Sequence, residues 1–264
     1  MSEMLKKIID HKKLELAEKK AKKPLEFLKA LVSELDPPKD FLAAMKYTGK
    51  GPKIIAECKR KSPSKGVLCN PYNPVNLAQT YERGGAAAVS CLTDEQFFGG
   101  SLKDLRSVAS SVGIPVLRKD FVIDEYQIWE ARAYGGDSFL LLSGVLDFAE
   151  IQYFCEIGRE LGMEPLLESH SKEELDEAFK TDAKILGINC RDLNTFKVSL
   201  EQAKALMPYL KKHGGDRIFV SESGISSLQD VEDMQDSGYQ HFLIGEFLVK
   251  SEDPEKTLCQ MIRK

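Results

Sequence analysis

From Lys53 to the end of the chain, short apolar runs alternate with longer stretches that have the apolar spacing of amphipathic helices. The runs are rich in β-branched residues, and polar or glycine-containing turns follow them. They predict strands at Lys53–Lys59, Ala87–Thr93, Pro115–Lys119, Ser138–Leu142, Glu164–Ser169, Ile185–Asn189, Ile218–Ser221 and His241–Ile244. The stretches between them predict helices at Pro74–Arg83, Leu102–Ser110, Glu125–Tyr134, Asp147–Leu161, Lys172–Phe179, Leu200–Lys211, Ser226–Asp236 and Pro254–Ile262.

The predicted strands are short and almost entirely apolar, which is typical of strands buried on both faces of a parallel sheet. Eight strand–helix units over about 210 residues fit a (β/α)8 barrel, which typically has roughly 250 residues. The competing architecture is a doubly wound open sheet, but no G-x-G-x-x-G turn follows the first strand. We therefore predict an α/β fold with one domain over residues 1–264, a (β/α)8 TIM barrel whose residues 1–48 form a helical N-terminal extension.

The N-terminal extension is predicted to contain three helices. Residues 1–23 are dense in charge and have one narrow apolar stripe, and Pro24 suits the start of a second helix at Leu25–Leu35. Asp36-Pro37-Pro38 ends that helix, and a short third helix follows at Phe41–Met45. Because its apolar face is narrow, we expect the extension to lie on the barrel, where it either covers the catalytic face or mediates association.

Composition excludes several classes of protein. The net charge is -4 and the isoelectric point about 5.7, which argues against a general nucleic-acid surface. The six cysteines are scattered without a C-x-x-C motif, which indicates reduced thiols rather than a disulfide framework or a zinc site. No apolar run is long enough to cross a bilayer. We expect a cytoplasmic protein that acts on a small molecule, without nucleic acid, membrane or metal.

The stretch Ile54–Gly66 begins as a strand and ends as a cationic loop rich in serine, proline and glycine. Side chains alternate along a strand, so Glu57 and Lys59 point to one face and Cys58 to the other. Two opposite charges on one face are costly in a sealed core, which favours a strand end that opens onto a polar site. The hydroxyls and amides of the loop suit a phosphate.

Other predicted strands also end in ionisable residues, and in a barrel these ends share one face. Lys119, Glu168 and Glu222 therefore converge with the charged end of the first strand, and such neighbours shift one another's pKa values and allow proton transfer. Ser223-Gly224 and Gly245 follow the seventh and eighth strands, where this fold usually binds phosphate. Ser62 from the first loop is placed to close over that site.

These segments closely resemble the indole-3-glycerol phosphate synthase family of tryptophan biosynthesis. The matching residues are Ile55-Ala56-Glu57-Cys58-Lys59-Arg60-Lys61-Ser62-Pro63-Ser64, Leu92-Thr93-Asp94, Phe98-Gly99-Gly100-Ser101, Lys119-Asp120-Phe121, Pro165-Leu166-Leu167-Glu168, Gly187-Ile188-Asn189-Cys190-Arg191-Asp192-Leu193, Ser221-Glu222-Ser223-Gly224-Ile225 and Leu243-Ile244-Gly245. They run in order from the first strand to the eighth, and the helical extension also fits the family.

The resemblance implies a carboxy-lyase that closes the ring of 1-(2-carboxyphenylamino)-1-deoxyribulose 5-phosphate, with loss of carbon dioxide and water, to give indole-3-glycerol phosphate. It implies no cofactor. The implied catalytic residues are Lys119 as general acid, Glu168 as acid/base in dehydration, Lys59 on the substrate carboxylate and as a proton donor, and Glu57 orienting the lysines. Substrate would be bound by Phe98, Asn189, Arg191, Glu222 and Ser223, and its phosphate by Ser62, Gly224, Gly245 and the N–H of Glu246. We expect a monomer.

Two departures from the family pattern affect these expectations. Ser143-Gly144 stands where the family usually has apolar residues that wall the ring pocket, and the Glu246 carboxylate must turn away from a phosphate to avoid repulsion. The alternatives are a phosphoribosylanthranilate isomerase-like sugar-phosphate enzyme using Cys58, a Schiff-base aldolase using Lys119, and a non-catalytic phosphate-ligand-binding barrel. None of the four histidines, His11, His170, His213 and His241, is predicted to be catalytic.

Overall fold

The computed structural model describes residues 2–63, 65–191 and 198–262. Eight parallel strands close into a barrel in which β1 pairs with both β4 and β10, so the predicted (β/α)8 barrel is confirmed. The barrel strands are β1 (Lys53–Cys58), β4 (Ala88–Leu92), β5 (Val116–Lys119), β6 (Ser138–Leu142), β7 (Leu166–Ser169), β8 (Ile185–Asn189), β9 (Ile218–Glu222) and β10 (His241–Ile244). A small antiparallel hairpin, β2 (Lys61–Ser62) and β3 (Gly66–Val67), lies within the loop after β1.

The described helices surround the barrel and lie close to the predicted bounds. They are α1 (Glu3–Lys22), α2 (Leu25–Ser33), α3 (Phe41–Met45), α4 (Pro74–Arg83), α5 (Glu95–Phe98), α6 (Leu102–Ala109), α7 (Glu125–Ala133), α8 (Phe148–Glu160), α9 (Lys172–Ala178), α10 (Leu200–His213), α11 (Leu228–Ser237), α12 (Glu246–Val249) and α13 (Pro254–Ile262). The sequence did not predict the short helices α5 and α12, which follow β4 and β10 at the same face of the barrel as the hairpin.

Side-chain caps explain several helix starts. Asn73, Ser101 and Asp147 each accept a hydrogen bond from a backbone N–H in the first turn of the helix that follows. Ser227 does the same for α11, and its capping box with Asp230 starts that helix at Leu228 rather than at the predicted Ser226.

Two apolar layers fill the molecule, and alternation along the strands assigns each residue to one of them. In β1, Ile55 belongs to the cluster inside the barrel, whereas Ile54, Ala56 and Cys58 pack outward against helices. Glu57 therefore points inward, as predicted. Because its strand ends one residue later, its carboxylate lies at the mouth of the barrel and not in its packed interior.

The N-terminal extension packs on the barrel through apolar and ionic contacts. Leu28, Phe41 and Met45 are almost completely buried. Lys12 in α1 is also buried, and its ammonium nitrogen is 3.2 Å from Oδ2 of Asp94 and 3.0 Å from Oδ1 of Asp120. Within the described ranges, no helix is long and apolar enough to cross a membrane.

Candidate active site

A cavity of about 720 Å³ opens at the carboxyl ends of the barrel strands. Its walls come from strand ends, from the loops after them and from the N-terminal helix α1, whose Leu5 and Ile8 close one side. The extension therefore covers part of this face, one of the two roles expected for it. Every site residue predicted from the sequence lines this cavity except Glu222.

Lys119, the last residue of β5, lies among the charged groups of the cavity. Its ammonium nitrogen is 2.6 Å from Oε2 of Glu222, 3.7 Å from Oε2 of Glu168 and 3.7 Å from Oε2 of Glu57. Burial alone would lower the pKa of Lys119, but these carboxylates raise it well above its usual value. Glu222 thus contacts Lys119 without lining the cavity. Lys119 is held as an ammonium that can donate a proton.

Glu57 and Lys59 form an ion pair at the end of β1, with Oε1 and Nζ 2.5 Å apart. Burial would raise the pKa of Glu57, but Lys59 and Lys119 lower it below its usual value. Gly245 makes this arrangement possible, because a Cβ at that position would come within 2.5 Å of Oε1 of Glu57. The carboxylate is therefore ionised and lies between two ammonium groups.

Glu168 and Glu222 differ in their surroundings although both contact Lys119. Asn189 donates a 2.7 Å hydrogen bond to Oε1 of Glu168. Against the effect of burial, Lys119, His170 and Asn189 hold the pKa of Glu168 well below its usual value. Burial and the charge of Glu168 instead raise the pKa of Glu222 to about 8, in spite of Lys119. The surroundings thus favour the ionised form of Glu168 and the protonated form of Glu222.

An apolar end of the cavity has the size and chemistry for an aromatic ring. Phe98 and Phe121 lie with their ring centroids 6.0 Å apart, and Leu140 and Leu142 of β6 complete the wall. Ser143 instead shares a 2.9 Å hydrogen bond with the Ser169 hydroxyl. The departure of Ser143-Gly144 from the family pattern therefore leaves an apolar wall in place, since strand β6 provides it.

The opposite end of the cavity carries backbone amides and cations. Ser223 and Gly224 both have left-handed backbone conformations, with φ of 66° and 94°. Ser223 is the only non-glycine residue with positive φ in the described ranges, and such strain concentrates at functional sites. The carboxylate of Glu246 is 2.8 Å from Nζ of Lys65 and 2.7 Å from Nζ of Lys250, so it is engaged by cations.

Cys58 lies on the far side of β1 from the cavity. Its side chain is fully buried, and its Sγ contacts the carbonyl oxygen of Pro74 at 3.7 Å. Burial raises the pKa of this thiol well above its usual value. A neutral thiol packed behind the strand cannot act at the mouth, which argues against the isomerase-like alternative.

His170 is a cavity residue that the sequence prediction left out. It follows β7 directly, and its Nε2 is 3.0 Å from Oε1 of Glu168. Its position one residue past the predicted strand end was a signal, but the direction of the ring depends on the loop. Arg191 lines the cavity as predicted, and its backbone N–H donates a 3.0 Å hydrogen bond to Oδ1 of Asn189. Three matched residues, Ser64, Asp192 and Leu193, lie outside the described residues.

Comparisons with known proteins agree with this architecture. A model of the family described as indole-3-glycerol phosphate synthase matches residues 5–261. The chain is 40% identical over 257 residues to the indole-3-glycerol phosphate synthase of Neisseria meningitidis serogroup C, with 97% of each chain covered. It is 41% identical over 260 residues to that of Campylobacter jejuni subsp. doylei, covering 98% of this chain and 100% of the relative. Among solved structures, thiamine phosphate pyrophosphorylase from Pyrococcus furiosus aligns with a TM-score of 0.59 at 16% identity, covering 79% of this chain and 93% of that one, a likeness of fold alone.

Proposed function

The chain belongs to the indole-3-glycerol phosphate synthase family, and from that membership we propose that it converts 1-(2-carboxyphenylamino)-1-deoxyribulose 5-phosphate to indole-3-glycerol phosphate. The single observation that carries the proposal is the Lys119 ammonium, which lies within 3.7 Å of carboxylates from β1, β7 and β9. This arrangement provides a charged proton donor beside an ionised base, as the reaction requires.

In the first step, the ring carbon that bears the carboxylate attacks the ribulose ketone and forms the new carbon–carbon bond. The electrons of the carbonyl π bond move to oxygen, and Lys119 supplies the proton that makes it a hydroxyl. Because the developing negative charge lies beside an ammonium in a partly dry cavity, the transition state gains more from this contact than the substrate does. Glu57 orients Lys119 and Lys59 and stabilises the positive charge that develops on the ring.

The intermediate then loses carbon dioxide and water. Cleavage of the carboxylate bond returns its electron pair to the ring, which cancels the positive charge formed in the attack. In dehydration Glu168 accepts the proton from carbon while Lys59 donates a proton to the leaving hydroxyl, so one water departs and the indole double bond forms. Before decarboxylation, Lys59 holds the substrate carboxylate.

The remaining site residues bind and orient the substrate in this proposal. Phe98 flanks the aromatic ring, while Asn189, Arg191 and Ser223 line the sugar portion. Glu222, which does not line the cavity, acts on the substrate through its contact with Lys119. The hydroxyl of Ser62 and the backbone amides of Gly224, Gly245 and Glu246 bind the phosphate. We further propose that the enzyme works as a monomer in the cytoplasm on this small molecule alone, with no cofactor, nucleic acid or membrane. Sedimentation equilibrium tests the monomeric state, and an assay in the presence of a chelator tests whether the reaction needs a metal cofactor.

The direct test is to incubate the purified chain with the anilino-deoxyribulose phosphate and follow indole fluorescence and carbon dioxide release together. We expect both signals in equal amounts. Substrate that stays unchanged in the presence of folded protein would contradict the proposal and favour a non-catalytic binding barrel. Borohydride added during turnover provides a second check, because an adduct at Lys119 would indicate a Schiff-base mechanism instead.

A further inference from the structure

His170 lies between two carboxylates that belong to different elements. Its Nε2 is 3.0 Å from Oε1 of Glu168 at the end of β7, and its Nδ1 is 3.5 Å from Oε2 of Glu174 in the first turn of α9. The backbone N–H of His170 also donates a 2.7 Å hydrogen bond to Oε2 of Glu174. The ring is therefore positioned from behind by the helix that follows it, with one edge toward the cavity.

The charges of the mouth leave a place for one more cation. Three buried carboxylates, those of Glu57, Glu168 and Glu222, face the ammonium groups of Lys59 and Lys119. If all three were ionised, the cluster would carry excess negative charge in a poorly solvated site, which is costly. Protonation of one carboxyl group, a further positive group, or both together would reduce this cost.

The position of His170 decides which carboxyl group keeps that proton. Its ring contacts Oε1 of Glu168, whereas Lys119 contacts Oε2, and among the described residues the ring pairs with Glu168 and Glu174 and not with Glu222. A charged imidazole therefore favours the ionised form of Glu168 and leaves the proton on Glu222. Burial would lower the pKa of His170, but Glu168 and Glu174 raise it to about 10, consistent with a charged ring at neutral pH.

The small cavity behind the ring contains no charged side chain besides the ring itself among the described residues. This cavity is lined by Asn189 at the end of β8, by Cys190 directly after it, and by Gln202 and Leu206 of α10. Of these, only the Cys190 thiol can titrate, and burial raises its pKa to about 11, so it is neutral near pH 7. Glu168 and Glu174 are thus the charged groups that set the protonation of His170.

We propose that His170 is a positioning residue for the reaction: charged and held between Glu168 and Glu174, it keeps Glu168 ionised and in place as the base of the dehydration step. Its contact is with Glu168 and not with the reacting atoms, so it acts through that carboxylate. This role rests on the proposed function, but the charge state of the His170–Glu168 pair can be tested without turnover.

The first experiment is a titration of the histidine side chains by two-dimensional 1H–15N NMR, with the signals of His170 identified from the spectrum of His170→Gln. We expect the wild-type ring to stay protonated above about pH 8, and Glu168→Gln to lower its pKa by at least about one unit. A ring that titrates near about 6.5, the value of a free histidine, would overturn the proposal. This result holds whether or not the protein turns over the anilino-deoxyribulose phosphate.

The second experiment compares kinetics of His170→Gln, which keeps a donor near the Nε2 position but has no charge, with the charge-restoring variant His170→Lys. We expect His170→Gln to lower kcat about 10–100-fold with KM within about threefold, and His170→Lys to recover at least about tenfold of that loss. The matched control is His213→Gln, because His213 is exposed at the end of α10, contacts the Tyr209 ring and does not line the cavity. Native kcat in His170→Gln, or equal losses in the Gln and Lys variants, would contradict the proposal.

Discussion

Replacing Lys12 by methionine removes the charge that joins helix α1 to the barrel. The side chain is 1% exposed, and its ammonium nitrogen lies 2.8 Å from Glu15, 3.2 Å from Asp94 and 3.0 Å from Asp120. Asp120 keeps a second partner, since Nη2 of Arg118 is 3.0 Å from its Oδ2. Without Lys12, the Asp94 carboxylate keeps, among the described residues, only the N-cap hydrogen bonds that it accepts from the amides of α5. Methionine fills the space of the lysine stem, so the change is mainly the loss of charge.

The expected destabilisation follows from leaving buried carboxylates without their cation. Breaking a buried pair from one side typically costs about 3–5 kcal/mol. For a chain of this size each kcal/mol lowers the melting temperature by about 2–4 °C, so we expect a decrease of about 6–20 °C. Urea unfolding at pH 7 measures the free energy directly. The matched control is Lys13→Met on the exposed side of the same helix, which should change stability by less than about 0.5 kcal/mol.

The pH dependence of this difference provides a sharper test than its size. The pKa of Asp120 is depressed in the folded chain, with Lys12 and Arg118 overriding the effect of burial, so its contribution is present above the unfolded pKa of about 3.9 and is lost as pH falls below it. The pKa of Lys12 is raised, so its contribution is lost as pH rises past about 10.4. The difference in free energy of unfolding between wild type and Lys12→Met should therefore be largest between about pH 3.9 and about pH 10.4. A Lys12→Met variant within about 1 kcal/mol of wild type at pH 7 would refute this reasoning.

Three further predictions concern Glu222, Cys58 and Glu246. Because the pKa of Glu222 is raised to about 8, the wild-type protein loses stability as pH rises from about 4.3 toward 8. Over that range the free energy of unfolding of Glu222→Gln in urea should rise by at least about 1 kcal/mol relative to wild type. A constant difference between the two proteins across the range would contradict this prediction. Cys58→Ala should keep kcat within about threefold and lose about 1–2 kcal/mol of stability, whereas a collapse of kcat would support the isomerase-like alternative. Glu246→Gln frees Lys65 and Lys250 and should tighten glycerol phosphate binding about three- to tenfold in calorimetry at low salt, an effect that should fade at about 0.5 M salt; weaker binding would contradict it.

The barrel and much of its mouth could be predicted because strands carry a strict alternation. Once Glu57 and Lys59 were assigned to one face of β1, closure of the sheet placed them at the same mouth as Lys119 from β5, and Glu57 contacts both lysines. Apolar runs give strand positions within one or two residues, because parallel strands buried on both faces are apolar along most of their length. The short helices α5 and α12 were missed because four residues are too few to show a helical period.

Contacts made by loops and by distant side chains could not be predicted from the pattern. His170 follows a strand, but only the loop conformation and Glu174 determine that its ring faces Glu168. Lys12 reads as one more charge in a charged helix, and its burial depends on carboxylates that are 82 and 108 positions away along the chain. Sequence periodicity carries no information on such pairings, because they depend on how the extension docks on the barrel.

The central claim is that the Lys119 ammonium donates the proton of ring closure. Its most direct test is the single-turnover rate of Lys119→Ala together with the Kd for the anilino-deoxyribulose phosphate, measured on protein whose circular dichroism matches wild type. We expect the rate to fall about 10²–10⁴-fold while Kd changes by less than about fivefold, because the contact strengthens in the transition state. A rate near that of wild type would contradict the claim.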